Sequence, residues 1–227
     1  MITFMAWLLF VSIMVVYYAA LSWLPTLLRD AGATFTVAFL GSAIMSAIGI
    51  FGCALSAVLA DITGRKWLLG VSASLGSVAL VGIGYTIDMP GTALIAIGIF
   101  GFVIQVAIPV LYAYIAEIYP TEVRASGFAW ASSMSRIATG LAPIVFSAWA
   151  FPTLGLVNTF LILMGAVFVA VAVMAKFGPE TRGWSSTPSS RMSRPPRPRR
   201  APARSTDPLP RRAPQVRGAA ALPGAAP

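Results

Sequence analysis

Between Asp88 and Glu117 the chain reads MPGTALIAIGIFGFVIQVAIPVLYAYIA, residues 89–116, without one charged side chain. A helix needs about 20 apolar residues, each rising about 1.5 Å, to cross the hydrocarbon core of a bilayer, and this run is long enough. Its polar members do not alternate with apolar ones, as strands of a membrane barrel would require. The same pattern extends in both directions. Residues 1–28, 31–60, 67–87 and 137–175 are also uncharged, and the stretch from Ser126 joins the last block through the single Arg136. Spans are expected near 4–24, 36–60, 67–87, 92–116, 126–150 and 153–175, with Phe151-Pro152 as a turn-like break between the last two. The predicted fold class is all-α membrane, with six transmembrane helices forming a bundle over 1–183 and a Pro/Arg/Ala-rich tail over 184–227.

Composition agrees and removes many chemistries. Of 227 residues 58% are hydrophobic and 10% charged, where a soluble domain carries roughly 25% charge. The chain has no histidine, and Cys53 is its one cysteine. A disulfide framework, a His/Cys zinc site, a Ser-His-Asp triad and a Cys-His pair are therefore excluded. With no deep carboxylate pair either, intramembrane acid-base catalysis lacks candidates, and an enzyme is not expected. No metal or cofactor is expected.

The net charge of +9 is unevenly placed. Residues 1–184 hold Arg29, Arg65, Lys66, Arg124, Arg136, Lys176 and Arg182 against Asp30, Asp61, Asp88, Glu117, Glu122 and Glu180. Residues 185–227 hold nearly all of the excess, as arginines against Asp207 alone. That tail is rich in proline, lacks aromatic residues and is expected to be disordered. One reading of it is cytoplasmic contact with anionic lipid headgroups, worth about 1 kcal/mol per base near the surface, and the favoured one is a passive cytoplasmic tail. Nucleic-acid binding is not expected of it, because stacking aromatics are missing. In the body, bases gather at alternate turns: Arg65 and Lys66, then Arg124, then Lys176 and Arg182. Bases accumulate on the cytoplasmic side, so both termini are expected there, in a plasma membrane of the bacterial inner-membrane kind. The first block lacks a basic leader and is about twice the usual length of a signal-peptide core, so it reads as a span.

Polar groups inside the spans are few. Arg136 stands about 15 Å into span five. An arginine at that depth costs roughly 2.5–3.5 kcal/mol on insertion scales, so it should face the bundle interior or a wet cavity. Ser133, Gly140 and Pro143 share its face at helical spacing. An anionic substrate held in bidentate fashion is one reading, and a guanidinium satisfied by carbonyls or a polar partner on another span is the other. In span four Gly98, Gly101, Gln105, Pro109 and Tyr112 recur along one face, with Gln105 at mid-membrane. In span one Tyr17 and Tyr18 are deep enough to stack on a substrate ring, while Trp23 suits an interfacial belt. In span two Ser42, Ser46, Gly49, Cys53 and Ser56 form a stripe that reads as close helix packing. The candidate substrate-binding set is Arg136, Gln105, Tyr17, Tyr18 and Ser133.

Three charged turns carry the most specific pattern. They are Asp61-Ile-Thr-Gly64-Arg65-Lys66, then Glu117-Ile-Tyr-Pro120-Thr-Glu122-Val-Arg124-Ala-Ser-Gly127, and last Pro179-Glu180-Thr181-Arg182-Gly183. In that order and on one face they resemble the major facilitator superfamily. The likeness is to the C-terminal six-helix half, in the branch holding sugar porters and organic-ion/aromatic-acid symporters, and it covers about residues 4–183. The resemblance implies secondary active transport of a small organic solute by alternating access. It also implies a cytoplasmic gate made of Asp61, Gly64, Arg65, Lys66, Glu117, Pro120, Arg124, Glu180 and Arg182, with Asp61, Arg65, Glu117, Arg124 and Glu180 as an ion-pair latch. The run from Ser133 to Pro143 is similar to the organic-ion, niacin and aromatic-acid members, and Arg136 leans toward an organic or aromatic acid anion.

The implied partners are the lipid bilayer, a small organic solute, and either the N-terminal six-helix half or a second copy of this chain. Proton coupling is implied for symporters of this kind, with its acid in the other half. A truncated gene product is the expectation for a lone half, and a tail out of its reading frame is one reading of the departure after Gly183. Two other readings are a non-transporting structural or regulatory membrane subunit and a sugar porter half.

Overall fold

The computed structural model describes residues 2–179. Six helices in it are long and apolar enough to cross a membrane. They are α1 (Ile2–Asp30), α2 (Phe35–Thr63), α3 (Arg65–Thr86), α4 (Pro90–Ile118), α5 (Arg124–Leu154) and α6 (Leu156–Phe177). The tail and the last charged turn, with Glu180 and Arg182, lie outside the described residues.

The helices are joined by turns of one to five residues, two of them a single glycine. Gly64 alone separates α2 from α3. Its φ of 91° lies in the left-handed region open to glycine, its N–H closes α2 on the Ala60 carbonyl, and its own carbonyl receives Leu68 N–H to start α3. Thr34 caps α2 by accepting from Val37 N–H at 3.4 Å. Tyr119 is extended ahead of Pro120, as the proline ring demands, and α4 ends there.

The expected break at Phe151-Pro152 is not where the chain turns. Helix α5 runs through both residues to Leu154, and the break falls at Gly155, whose φ is 79°. The cause lies upstream. Pro143 has no N–H to give, and Phe146–Ala150 form a π turn in which Phe151 N–H reaches back to Phe146 O. Pro152 then sits in the first turn of the resumed α-helix, where a missing donor costs nothing. The fifth span is therefore longer than 126–150, and the sixth begins at Leu156.

Helices α1, α3 and α4 bury half or more of their most apolar stretch, and α2, α5 and α6 less than a quarter. Helix α1 packs on α2, α5 and α6, α4 joins α2 to α3, and α3 carries α6. The α2–α4 crossing is the tightest contact. A Cβ placed on Gly52 would lie 2.3 Å from the Phe102 carbonyl oxygen, and one on Gly101 2.6 Å from that of Met45. Small residues thus bring two backbones into touch, the main source of helix association inside lipid. The buried stripe of α2 is Ala38, Gly41, Met45, Gly49, Gly52 and Ser56. It keeps Gly49 and Ser56 of the expected stripe but leaves Ser46 and Cys53 exposed, because glycine, not serine, sets how closely α4 can approach.

Candidate functional site

Two places collect the polar chemistry: the end of the bundle where the charged turns meet, and a level near its middle. At the charged end, Gly64 reverses the chain so abruptly that Arg65, the first residue of α3, faces the last turn of α4. Arg65 Nη1 pairs with Glu117 Oε1, both side chains about three-quarters buried. Lys66 turns the other way and donates to the carbonyls of Ala175 (3.0 Å) and Gly178 (2.7 Å), closing the C-terminal end of α6. Cations suit that place, because the last carbonyls of a helix lack partners and carry its negative dipole end. Tyr114, fully buried, donates to the Pro179 carbonyl at 3.2 Å. Turn two is thereby tied to turn one, and Pro179, the described residue of turn three, is tied to α4 at the same end.

Of the expected latch, the Arg65–Glu117 pair is present among the described residues. Asp61 is exposed and makes no ion pair among the described residues; it lines a crevice of about 370 Å³ with Ser56, Arg65 and Pro109. Arg124 uses its Nε on the Tyr119 carbonyl at 3.4 Å instead of on a carboxylate. Pro120 is exposed and accepts Val123 N–H to build the α4–α5 turn. Cations here therefore spend their donors on helix-end carbonyls as much as on acids. Sequence reasoning missed Tyr114, although its place three residues before Glu117 puts both on one face of α4.

Along the spans, the buried hydroxyls can be set aside first. Ser12, Ser56, Ser72, Ser77, Ser135 and Thr159 each bond back to a carbonyl of their own helix or its cap. The candidate set behaves differently. Gln105, Ser133 and Arg136, and the hydroxyls of Tyr17 and Tyr18, find no side-chain hydrogen-bond partner among the described residues. Counted from the charged end at 1.5 Å per residue, Arg136 lies about 18 Å along α5, Gln105 about 20 Å along α4 and Tyr17 about 22 Å along α1. They share a depth. Phe10 on Phe128 and Trp23 on Phe151 bracket that level on α1 and α5, with ring centroids 5.7 and 5.3 Å apart.

Their surroundings differ. Gln105 is half-buried with its side chain laid on Gly49, so it belongs in part to the α2–α4 contact. Tyr17 is half-buried and Tyr18 exposed, the two rings meeting edge to face at 5.2 Å. Arg136 and Ser133 are exposed, on a stripe that continues through Gly140 to Ser147. The adjoining stripe of α5 is Trp130, Ile137, Leu141 and Ile144, also exposed but wholly apolar. Helix α5 thus shows two open faces, one suited to acyl chains and one, with the guanidinium, suited to a wet seam.

A family model described as the Major Facilitator Superfamily matches residues 6–216. The chain belongs to that superfamily. Among curated relatives, it is 29% identical to the niacin transporter NiaP of Acinetobacter baylyi over 79% of its own length and 40% of that protein's. It is 26% identical to a gallate transporter of Pseudomonas putida over 76% and 39%. The fold is similar to part of the proton:xylose symporter XylE, at a TM-score of 0.66 and 22% identity over 81% of this chain and 40% of that one. The chain spans about two fifths of the length of the relatives it matches. As a member of this superfamily, with six helices long enough to span, it is a multi-pass membrane protein.

Proposed function

We propose that this six-helix unit moves a small organic acid anion by alternating access, with Arg136 holding the carboxylate near the bilayer centre. The observation that carries the reading is the guanidinium itself. It is exposed about 18 Å along α5, has no ion pair among the described residues, and stands on the small, polar stripe instead of the apolar one. A charge that expensive is retained for binding. Tyr18 and Gln105, at the same depth on α1 and α4, supply a ring face and an amide for the rest of the solute. Two relatives carry names of aromatic carboxylic acids, niacin and gallate, and that chemistry fits a cationic anchor flanked by a tyrosine pair.

In this proposal the polar faces of α1, α2, α4 and α5 meet a second six-helix half, and the solute sits in the seam between them. The charged end, with Arg65–Glu117 and the lysine-closed end of α6, is the cytoplasmic gate. One ion pair contributes about 0–1 kcal/mol, enough to bias two states that differ by a few kcal/mol. Proton coupling belongs to the same proposal, with no residue of this half assigned to it.

The test is uptake of radiolabelled nicotinate and gallate into proteoliposomes holding the chain with a complementary six-helix half. Arg136→Ala is expected to lower uptake about 10- to 100-fold, the worth of a charged hydrogen-bonded contact, with Arg136→Lys recovering part of it. Uptake unchanged in Arg136→Ala would remove the anchor and leave the fold standing.

A further inference from the structure

We propose that the groove between α3 and α6 at the charged end binds an anionic phospholipid, one acyl chain in the groove and the phosphate beside Lys66. The groove encloses about 360 Å³ and is floored by Gly70, whose missing side chain leaves room beside Val171 and Met174. It runs from Lys66 to Leu75, nine residues or about 14 Å, which is half of a hydrocarbon core of roughly 30 Å. That length suits one chain in one leaflet. A partner helix would need contact across the whole span.

Three further observations fix the occupant. First, the groove opens on the lipid face of α3. The exposed stripe of that helix is Trp67, Val71, Leu75, Val78 and Tyr85, apolar between two aromatic ends. Trp67 and Tyr85 stand about 27 Å apart along the axis, the spacing of the two interfacial belts, so the groove mouth lies at headgroup level. Second, the two helices that line the groove carry charge of one sign. Neither α3 nor α6 holds an aspartate or glutamate, and their bases, Arg65, Lys66 and Lys176, all stand at this end. Third, Lys66 and Lys176 are not used up. Lys66 spends two of its three N–H groups on Ala175 and Gly178, and Lys176, directly after groove-lining Ala175, is exposed. Arg65 is held by Glu117 and takes no part.

The inference rests on the membrane placement of the helices and not on which solute is carried. Its test is native mass spectrometry of the full chain, released from detergent containing equal amounts of phosphatidylglycerol and phosphatidylcholine. One phosphatidylglycerol is expected to be retained in preference. Lys66→Gln and Lys176→Gln are each expected to lower that retention about fivefold, the worth of one base at a headgroup surface. Val71→Trp fills the groove from its open side, breaks no hydrogen bond, and is expected to abolish retention with the thermal midpoint unchanged. Should Lys66→Gln fail to fold, Val71→Trp and Lys176→Gln decide. Equal retention of the two lipids, or full retention in Val71→Trp, overturns the proposal. So does a dimer of the chain that Val71→Trp dissociates, because the groove is then an interface between copies.

Discussion

Helices α2 and α5 are both loosely covered, yet they use glycine in opposite ways. Gly49 and Gly52 of α2 lie against Gln105 and the Phe102 backbone of α4, so that any side chain there would collide. Gly140 of α5 has nothing within 4 Å of where its Cβ would stand. The first pair determines how two helices cross. The second widens the polar face on which Arg136 sits. The bundle thus separates a region held by size from a region kept open for chemistry, and substitutions should move the two in opposite directions.

The largest effect is expected from Gly52→Val. Overpacking usually costs about 1–3 kcal/mol, and here the obstructing atom is a backbone carbonyl that cannot rotate away. Thermal unfolding in detergent should show a loss at or beyond that range. Gly140→Ala, made as its counterpart, should stay within about 0.5 kcal/mol of the parent, as open surface positions do. Equal damage from both would erase the contrast between the two helices.

Arg136→Leu should act with the opposite sign. Removing a guanidinium that costs roughly 2.5–3.5 kcal/mol to place at mid-membrane raises stability by some part of that sum. The chain should unfold at a higher temperature while losing any response to added aromatic acids. Destabilisation instead would mean that Arg136 holds the bundle together, which is the structural alternative to an anchor.

How far these regions were legible in the sequence follows the same division. Spans could be read from charge-free runs because lipid tolerates few alternatives to a continuous apolar helix. Arg136 stood out for the same reason, since one charge in such a run is conspicuous. The break at Gly155 did not, because a proline signals a turn only if its missing N–H has a partner to lose, and the π turn at Phe146–Ala150 had already removed that partner. The stripe on α2 was drawn through serines when the contact follows glycines, one residue away in the helical repeat. At the charged end the types of residue were evident but not their pairing. Whether Arg65 or Lys66 meets Glu117 depends on the single φ of Gly64.

Lys66→Gln gives a middling effect. It removes two charge-assisted bonds to Ala175 and Gly178 from a partly exposed lysine, and a loss of about 1–2 kcal/mol is expected once solvent competition is allowed for. Hydrogen exchange should speed up in the last turn of α6 and nowhere in α2, whose end is closed by Gly64 within its own chain. Faster exchange at both ends would show that the charged end melts as one unit and not turn by turn.

The smallest effect concerns the Arg65–Glu117 ion pair at the charged end. Arg65 and Glu117 are each about three-quarters buried, and both Arg65 Nε and Glu117 Oε2 are buried without a partner. Removing one member strands the other's charge, so Arg65→Gln and Glu117→Gln should each cost more than the double variant does. The coupling in a double-mutant cycle is expected near 1 kcal/mol, above the median of exposed pairs because so little of either group reaches solvent. Additive costs would mean that the two side chains act separately, Arg65 on the end of α4 and Glu117 on the start of α3. Among the described residues the charged end would then be held by the carbonyl bonds of Lys66, Tyr114 and Arg124, with no ion pair for a change of state to break.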